Sequence, residues 1–132
     1  MTRKTFLIDT SVLLYDKQSV HSFSDNHVVL PMVVLDELDR FKEKQGLLGE
    51  SARYINRFLD SLRSDGRLDI GVCLPSGQTI RVLTREGYED LDTLDLDLTR
   101  GDNKIIASAL LLKDTGADVH VVTKDINLRV KC

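Results

Sequence analysis

The sequence predicts a three-layer α/β domain with a mainly parallel central sheet. Short runs rich in apolar and β-branched residues alternate with segments whose apolar residues recur at helical spacing. An acidic residue follows several of these runs closely, and ligand sites in parallel sheets collect at the edge where the strands end. The chain has 132 residues, which suits a single domain with one core.

The first strand and the segments after it are predicted from short local patterns. Thr5-Phe6-Leu7-Ile8 has the composition of a buried strand, and it runs directly into Asp9. A helical turn is expected at 11–15, a polar loop or short helix at 16–26, and a strand at about 27–30. Pro31 argues against an uninterrupted central strand, so the next helix is placed from near Val33.

The middle of the chain contains the clearest helical pattern. Residues 42–49 are charged and interrupted by glycines, which predicts a loop. Beyond them the apolar positions follow helical spacing, at Leu48, Ala52, Ile55, Leu59 and Leu62.

Later segments are assigned from turn and strand signals. A hairpin is expected from 68–74 and 79–83, a loop with a short helix at 86–98, a helix from Asp102 to about 115, and a last strand at 119–122.

Composition limits the classes of function. The net charge of −3 gives no general case for nucleic acid, so an RNA surface would have to be a local basic patch. Two cysteines, Cys73 and Cys132, have neither metal-ligand spacing nor the pattern of a disulfide framework. No apolar run approaches the roughly 20 residues of a membrane span. We therefore expect a cytoplasmic protein with no membrane association.

Four acidic residues lie at strand ends or in the first turns of helices: Asp9, Glu37, Asp102 and Asp125. Each has an ordinary explanation, because acids commonly cap helices, complement the helix dipole or form Asx turns. A parallel sheet, however, would bring all four to one edge. Clustered carboxylates raise one another's pKa unless a cation neutralises them.

Such a cluster indicates a particular chemistry. Oxygen ligands without histidine or cysteine suit Mg²⁺ or Mn²⁺ better than zinc. A carboxylate-held divalent cation can activate water for phosphodiester hydrolysis, so no nucleophilic side chain is needed.

The motifs around these acids resemble those of PIN-domain ribonucleases. They are Phe6-Leu7-Ile8-Asp9-Thr10-Ser11, Val34-Leu35-Asp36-Glu37-Leu38, Gly101-Asp102-Asn103-Lys104 and Val121-Val122-Thr123-Lys124-Asp125. The segments Leu-Asp-Glu-Leu-Asp-Arg-Phe-Lys and Val-Thr-Lys-Asp-Ile-Asn-Leu-Arg are most similar to the N-terminal PIN domain of PhoH-like ATPases. The predicted 68–83 hairpin agrees with that branch.

The resemblance implies an α/β/α PIN-like fold and a Mg²⁺- or Mn²⁺-dependent endoribonuclease acting on single-stranded RNA. Asp9, Glu37, Asp102 and Asp125 would be the catalytic metal ligands, and Ser11 and Thr123 would support them by hydrogen bonds. We expect residues 1–132 to be one PIN-like domain of a longer protein with a C-terminal ATP-binding PhoH-like ATPase domain. By analogy with other PIN domains, a homo-oligomer is also expected.

Other interpretations of the same residues stay open. The basic side chains expected to contact RNA could equally form a solvated helix face; they are Arg40, Lys42, Lys44, Arg53 and Arg57. A haloacid-dehalogenase-type phosphotransferase also begins with a strand ending in Asp, but it needs a second Asp where this chain has Ser11. The main alternative is a degenerate PIN domain that binds RNA or protein without catalysis.

Overall fold

A computed structural model describes residues 3–83, 108–110, 112–113 and 116–124. The predictions for 86–98, Asp102 and Asp125 lie outside the described residues.

Within the described residues a mostly parallel five-stranded sheet forms the centre of the protein. Its strands are β1 (Thr5–Ile8), β2 (His27–Pro31), β3 (Val72–Cys73), β4 (Thr79–Leu83) and β5 (Val119–Val122), in the spatial order β3-β4-β2-β1-β5. Of the strand pairs in this described sheet, β3–β4 is antiparallel and the others are parallel. Since β1 lies between β2 and β5, residues that follow β1 and β5 come together at one edge.

The helices lie on the connections between the strands and cover the sheet. The helices α1 (Thr10–Tyr15), α2 (Met32–Phe41) and α3 (Gly46–Leu62) lie between strands that step in one direction across the sheet, and they pack on one another. The chain then returns across the sheet to β5, and residues 108–110 and 112–113 are helical. Crossovers between parallel strands are right-handed, so helices on connections that run in opposite directions across the sheet lie on opposite faces of it. The predicted three-layer α/β fold is confirmed.

The core agrees with the periodic pattern of α3. Ala52, Ile55, Leu59 and Leu62 are buried, and they join the apolar strand residues in one cluster. At roughly 25 cal/mol per Å² of buried apolar surface, this face is the main stabilisation of a helix that has no side-chain cap.

Several element boundaries differ from the predictions. Strand β2 includes Pro31, and α2 begins at the very next residue, because a proline at the helix N-cap needs no amide hydrogen. Helix α3 begins at Gly46 and so includes part of the predicted loop. The short 3₁₀ helix at Lys17–His21, by contrast, agrees with the polar loop or short helix expected at 16–26.

The first strand of the predicted hairpin is shorter than expected. Residues 68–70 form a turn, and Gly71 has a φ of 131°, so pairing starts only at Val72. The part of the chain that the structure describes includes no helix long and apolar enough to span a membrane.

Candidate active site

Asp9 stands at the junction of β1 and α1, at the edge where the parallel strands end. Its backbone N–H donates to the Val122 carbonyl at 2.9 Å, which extends the β1–β5 ladder by one residue. The residue is 8% exposed. A carboxylate this buried is costly unless its oxygens are well satisfied.

Among the described residues, three groups donate hydrogen bonds to this carboxylate. The Thr10 amide donates to Oδ1 at 2.8 Å, so Asp9 is the N-cap of α1, as the ordinary explanation of this acid expected. The hydroxyls of Ser11 and Thr123 donate to Oδ2 at 2.9 and 2.7 Å. A carboxylate has about four acceptor positions. These donors therefore fix the orientation of Asp9 and leave room for one further partner.

Ser11 also connects the two strand ends. Its Oγ accepts a hydrogen bond from the Lys124 amide at 3.2 Å while it donates to Asp9. Asp125 follows Lys124 directly in the sequence, and its own position lies outside the described residues.

Glu37, in the second turn of α2, is the second carboxylate of this edge. Burial and the nearby Asp9 carboxylate raise the pKa of Glu37, and the neighbouring Thr10 hydroxyl and Arg40 partly offset that rise. Its neighbour Asp36 is exposed, so Glu37 is the less exposed of these two adjacent acids. A carboxyl whose ionised form is disfavoured by burial and by a neighbouring carboxylate is typical of a site that receives a cation.

The side chain of Thr10 is a site feature that the sequence did not single out. Its hydroxyl lies close enough to Glu37 to lower the pKa of that carboxyl, yet Oγ1 is buried and has no hydrogen bond of normal geometry in the described structure. A buried hydroxyl without a partner is costly, so it marks a place where a further polar group fits. Its position next to Asp9 was the only signal in the sequence.

The donor set suits a hard divalent cation. Asp9 and Glu37 offer carboxylate oxygens, and the buried Thr10 hydroxyl lies beside Glu37. The three histidines are engaged elsewhere, with Tyr54, Thr79 and Asp118. Among the described residues no group of three or more acidic, histidine or cysteine side chains is assembled, since the other two predicted ligands fall outside them.

The basic residues of the predicted RNA surface have different surroundings. Arg40 lies near enough to Glu37 to lower its pKa, and Lys42 pairs with Asp39 at 2.7 Å. The Arg53 guanidinium donates to the carbonyls of Lys42 and Lys44, at 2.8 and 3.2 Å.

Arg53 therefore holds the α2–α3 loop in place, a role that helical spacing alone could not show. Arg57 is exposed on the same helix.

Comparisons with known proteins agree with this architecture. A family model described as the PIN domain matches residues 6–132. The chain is 38% identical over 135 residues to Protein PhoH2 of Bacillus subtilis, and 42% identical over 131 residues to Protein PhoH2 of Thermobispora bispora. It is 35% identical over 130 residues to Protein PhoH2 of Mycolicibacterium smegmatis.

These alignments cover nearly all of this chain and a minor part of each relative. They include 97% of the chain in each case, but only 30%, 29% and 30% of the three relatives. The similarity thus joins this domain to one part of PhoH2 proteins. The family match spans almost every residue, and the sheet order and strand-end acid fit it, so the chain belongs to the PIN domain family.

Proposed function

We propose that this chain is a divalent-metal-dependent ribonuclease domain that hydrolyses phosphodiester bonds of single-stranded RNA with water as the nucleophile. PIN domains are generally nucleases. The observation that carries the proposal is the Asp9–Glu37 pair, a buried oriented carboxylate beside a second one whose pKa is raised. Such a pair is unfavourable when both acids are ionised and becomes favourable around a cation.

The roles of the residues follow from their contacts. Asp9 and Glu37 would hold Mg²⁺ or Mn²⁺ together with Asp102 and Asp125, the other two acids of the family motif. Ser11 and Thr123 keep Asp9 in one orientation through their hydrogen bonds to Oδ2. Partners of this kind, which orient a ligand, typically change metal affinity by 10- to 100-fold when removed.

The cation supplies two things when bound: a water of lowered pKa and positive charge that offsets the charge gained by the phosphate. The chain's own groups position the RNA. Arg40 lies near enough to Glu37 to lower its pKa, and it would contact a phosphate beside the cleaved bond. Lys42 follows two residues later and would contact the next phosphate. Lys44 and Arg57 would extend this basic path, and Arg53 would act mainly by holding the loop that carries Lys42 and Lys44.

The domain would act as part of a larger protein. The chain spans about three tenths of the length of the curated relatives. We propose that the full-length protein adds a C-terminal PhoH-like ATPase domain, that it is cytoplasmic, and that it assembles into homo-oligomers.

The test is cleavage of an end-labelled single-stranded RNA in Mn²⁺, in Mg²⁺ and in chelator. Wild type is compared with Asp9→Asn, which keeps the size of the side chain and one carbonyl oxygen to accept from Thr10. The matched control is Asp60→Asn, an exposed acid of α3 that pairs with Arg63 at 3.4 Å. We expect metal-dependent cleavage in wild type and in the control variant, and a loss of at least 100-fold in Asp9→Asn.

Two results would count against the proposal. Cleavage that persists in Asp9→Asn would place the chemistry elsewhere or in a contaminant. RNA binding without cleavage by wild type in either metal would favour the alternative, a degenerate PIN domain that is a binding module only.

A further inference from the structure

An exposed aromatic ring ends α1 close to the acidic site. Tyr15 is the last residue of α1, and 60% of its surface is exposed. The Lys124 ammonium lies 5.5 Å from the centre of its ring. A solvent-exposed ring with a cation against it offers its remaining surface to a planar, anion-bearing ligand.

The geometry connects this ring to Asp9. Tyr15 lies four residues after Ser11 in one helix, so the two side chains share a face one turn apart. Long helical side chains lean toward the helix N-terminus, which is the end that Asp9 caps. The Lys124 amide bonds to Ser11 Oγ, and Ser11 bonds to Asp9. Tyr15 and Lys124 are thus tied to the same residue that orients the candidate ligand.

A second pair of a tyrosine ring and a lysine in this chain, Tyr54 and Lys17, already has other partners. The Tyr54 hydroxyl lies 2.8 Å from His21 Nε2, and Lys17 lies 5.4 Å from the Tyr54 ring centre. Lys17 is neutralised by Glu50 at 3.0 Å. Lys124, by contrast, has no carboxylate partner within the described part of the chain. The Tyr54 pair is therefore occupied by other residues of the chain, whereas Tyr15 is exposed and Lys124 has no carboxylate partner among the described residues.

We propose that Tyr15 and Lys124 form a subsite for one nucleotide of the RNA, next to the phosphate that is cleaved. The base stacks on the open face of the Tyr15 ring, and the Lys124 ammonium contacts the adjoining phosphate. Stacking is tolerant of base identity because every base has a π-face. The subsite therefore sets the register of the strand over the acids without reading its sequence. This inference rests on the proposed function, since it assigns a position to the RNA substrate.

The test measures binding separately from cleavage. A short fluorescent single-stranded RNA, and a series carrying one abasic nucleotide at successive positions, are titrated by anisotropy in Ca²⁺. Cleavage of the same RNAs is followed separately in Mn²⁺. The variants are Tyr15→Leu, Tyr15→Phe and Lys124→Met, with Tyr54→Leu as the matched control. Thermal unfolding of each variant checks that it is folded.

We expect wild type to lose about 5- to 100-fold in affinity when the base at one position is missing. Tyr15→Leu lowers affinity for the intact RNA by a similar factor and abolishes that position dependence, whereas Tyr15→Phe and Tyr54→Leu retain it. Lys124→Met reduces the slope of log affinity against log salt by about one unit.

Equal abasic penalties in wild type and Tyr15→Leu would overturn the subsite, as would their loss in Tyr54→Leu but not in Tyr15→Leu. Failure of the two proposals can be told apart. If no metal supports cleavage but the abasic penalty depends on Tyr15, the nuclease proposal falls and the subsite stands. If cleavage depends on Asp9 but the abasic penalty is the same in wild type and Tyr15→Leu, the subsite is wrong and the nuclease proposal stands.

Discussion

Replacing Thr123 by valine tests whether a hydroxyl holds Asp9 in place. Thr123 is 7% exposed, and its Oγ1 donates to Asp9 Oδ2 at 2.7 Å. Valine has nearly the same shape, so the substitution removes the hydrogen bond and little packing. A hydrogen bond to a charged group contributes about 1.5–3 kcal/mol. Asp9 keeps its bonds from Thr10 and Ser11, so we expect a loss near the lower end of that range.

The assay is urea or thermal unfolding in chelator near neutral pH. A loss of 1.5 kcal/mol lowers the melting temperature by roughly 6 °C in a domain of this size. Thr10→Val is the matched control, because Thr10 is equally buried but its hydroxyl has no hydrogen bond of normal geometry. That variant should lose no stability, since the buried hydroxyl it removes makes no hydrogen bond of normal geometry in the described structure. Equal losses in the two variants would refute the hydrogen-bond reasoning.

Three further predictions concern Glu37, Gln78 and Gly49. The pKa of Glu37 is raised above its ordinary 4.5, so the folded protein binds this proton more tightly than the unfolded chain. In chelator, stability should therefore fall as pH rises from about 4.5 through the raised pKa, and Glu37→Gln should flatten that decline in pH-dependent unfolding curves. Gln78→Leu should cost about 2–5 kcal/mol in urea unfolding, because Gln78 is fully buried and bonds both the Val20 carbonyl, at 2.6 Å, and the Phe23 amide, at 3.2 Å. Gly49→Ala should lower the free energy of unfolding by about 1–3 kcal/mol, because its Cβ would collide with the Lys44 carbonyl. Gly66→Ala is the control and should be nearly neutral, because its Cβ would meet Val72 at 3.5 Å, an ordinary contact distance. Equal losses of stability in the two variants would contradict this.

The strands could be predicted because buried parallel strands are short, nearly continuous apolar runs, and the main helix because its apolar residues recur at helical spacing. The strand at 119–122 is confirmed at its predicted bounds. The strand predicted at about 27–30 is one residue longer and ends at Pro31. The apolar series Leu48 to Leu62 predicted α3 because burial of one face repeats every three or four residues.

The start of α3 could not be predicted, for a reason that lies in tertiary contacts. Gly46 and Gly49 were interpreted as loop signals. Gly46 does adopt a φ of 83° at the start of the helix, but Gly49 lies inside α3 beneath the Lys44 carbonyl, where a Cβ has no room. The sequence shows that a residue is glycine and not which atoms approach it.

In the candidate site too, local features could be predicted from the sequence and tertiary contacts could not. Strand ends and acids are visible in the sequence, so the positions of Asp9 and Glu37 at one edge followed from the pattern. The donor network is not visible, because the bond from Thr123 to Asp9 joins residues 114 positions apart. Arg53 was grouped with the RNA-binding residues on helical spacing, while its contacts with the loop carbonyls depend on how α2 and α3 meet.

Mn²⁺ binding followed by electron paramagnetic resonance measures whether Asp9 holds a divalent cation at the edge of the sheet. Wild type and Asp9→Asn are titrated with Mn²⁺ under identical conditions, and the signal of free Mn²⁺ is recorded. We expect wild type to remove Mn²⁺ from solution, Asp9→Asn to bind it at least tenfold more weakly, and Mg²⁺ to compete. Equal Mn²⁺ affinity in the two proteins would show that Asp9 does not hold the cation.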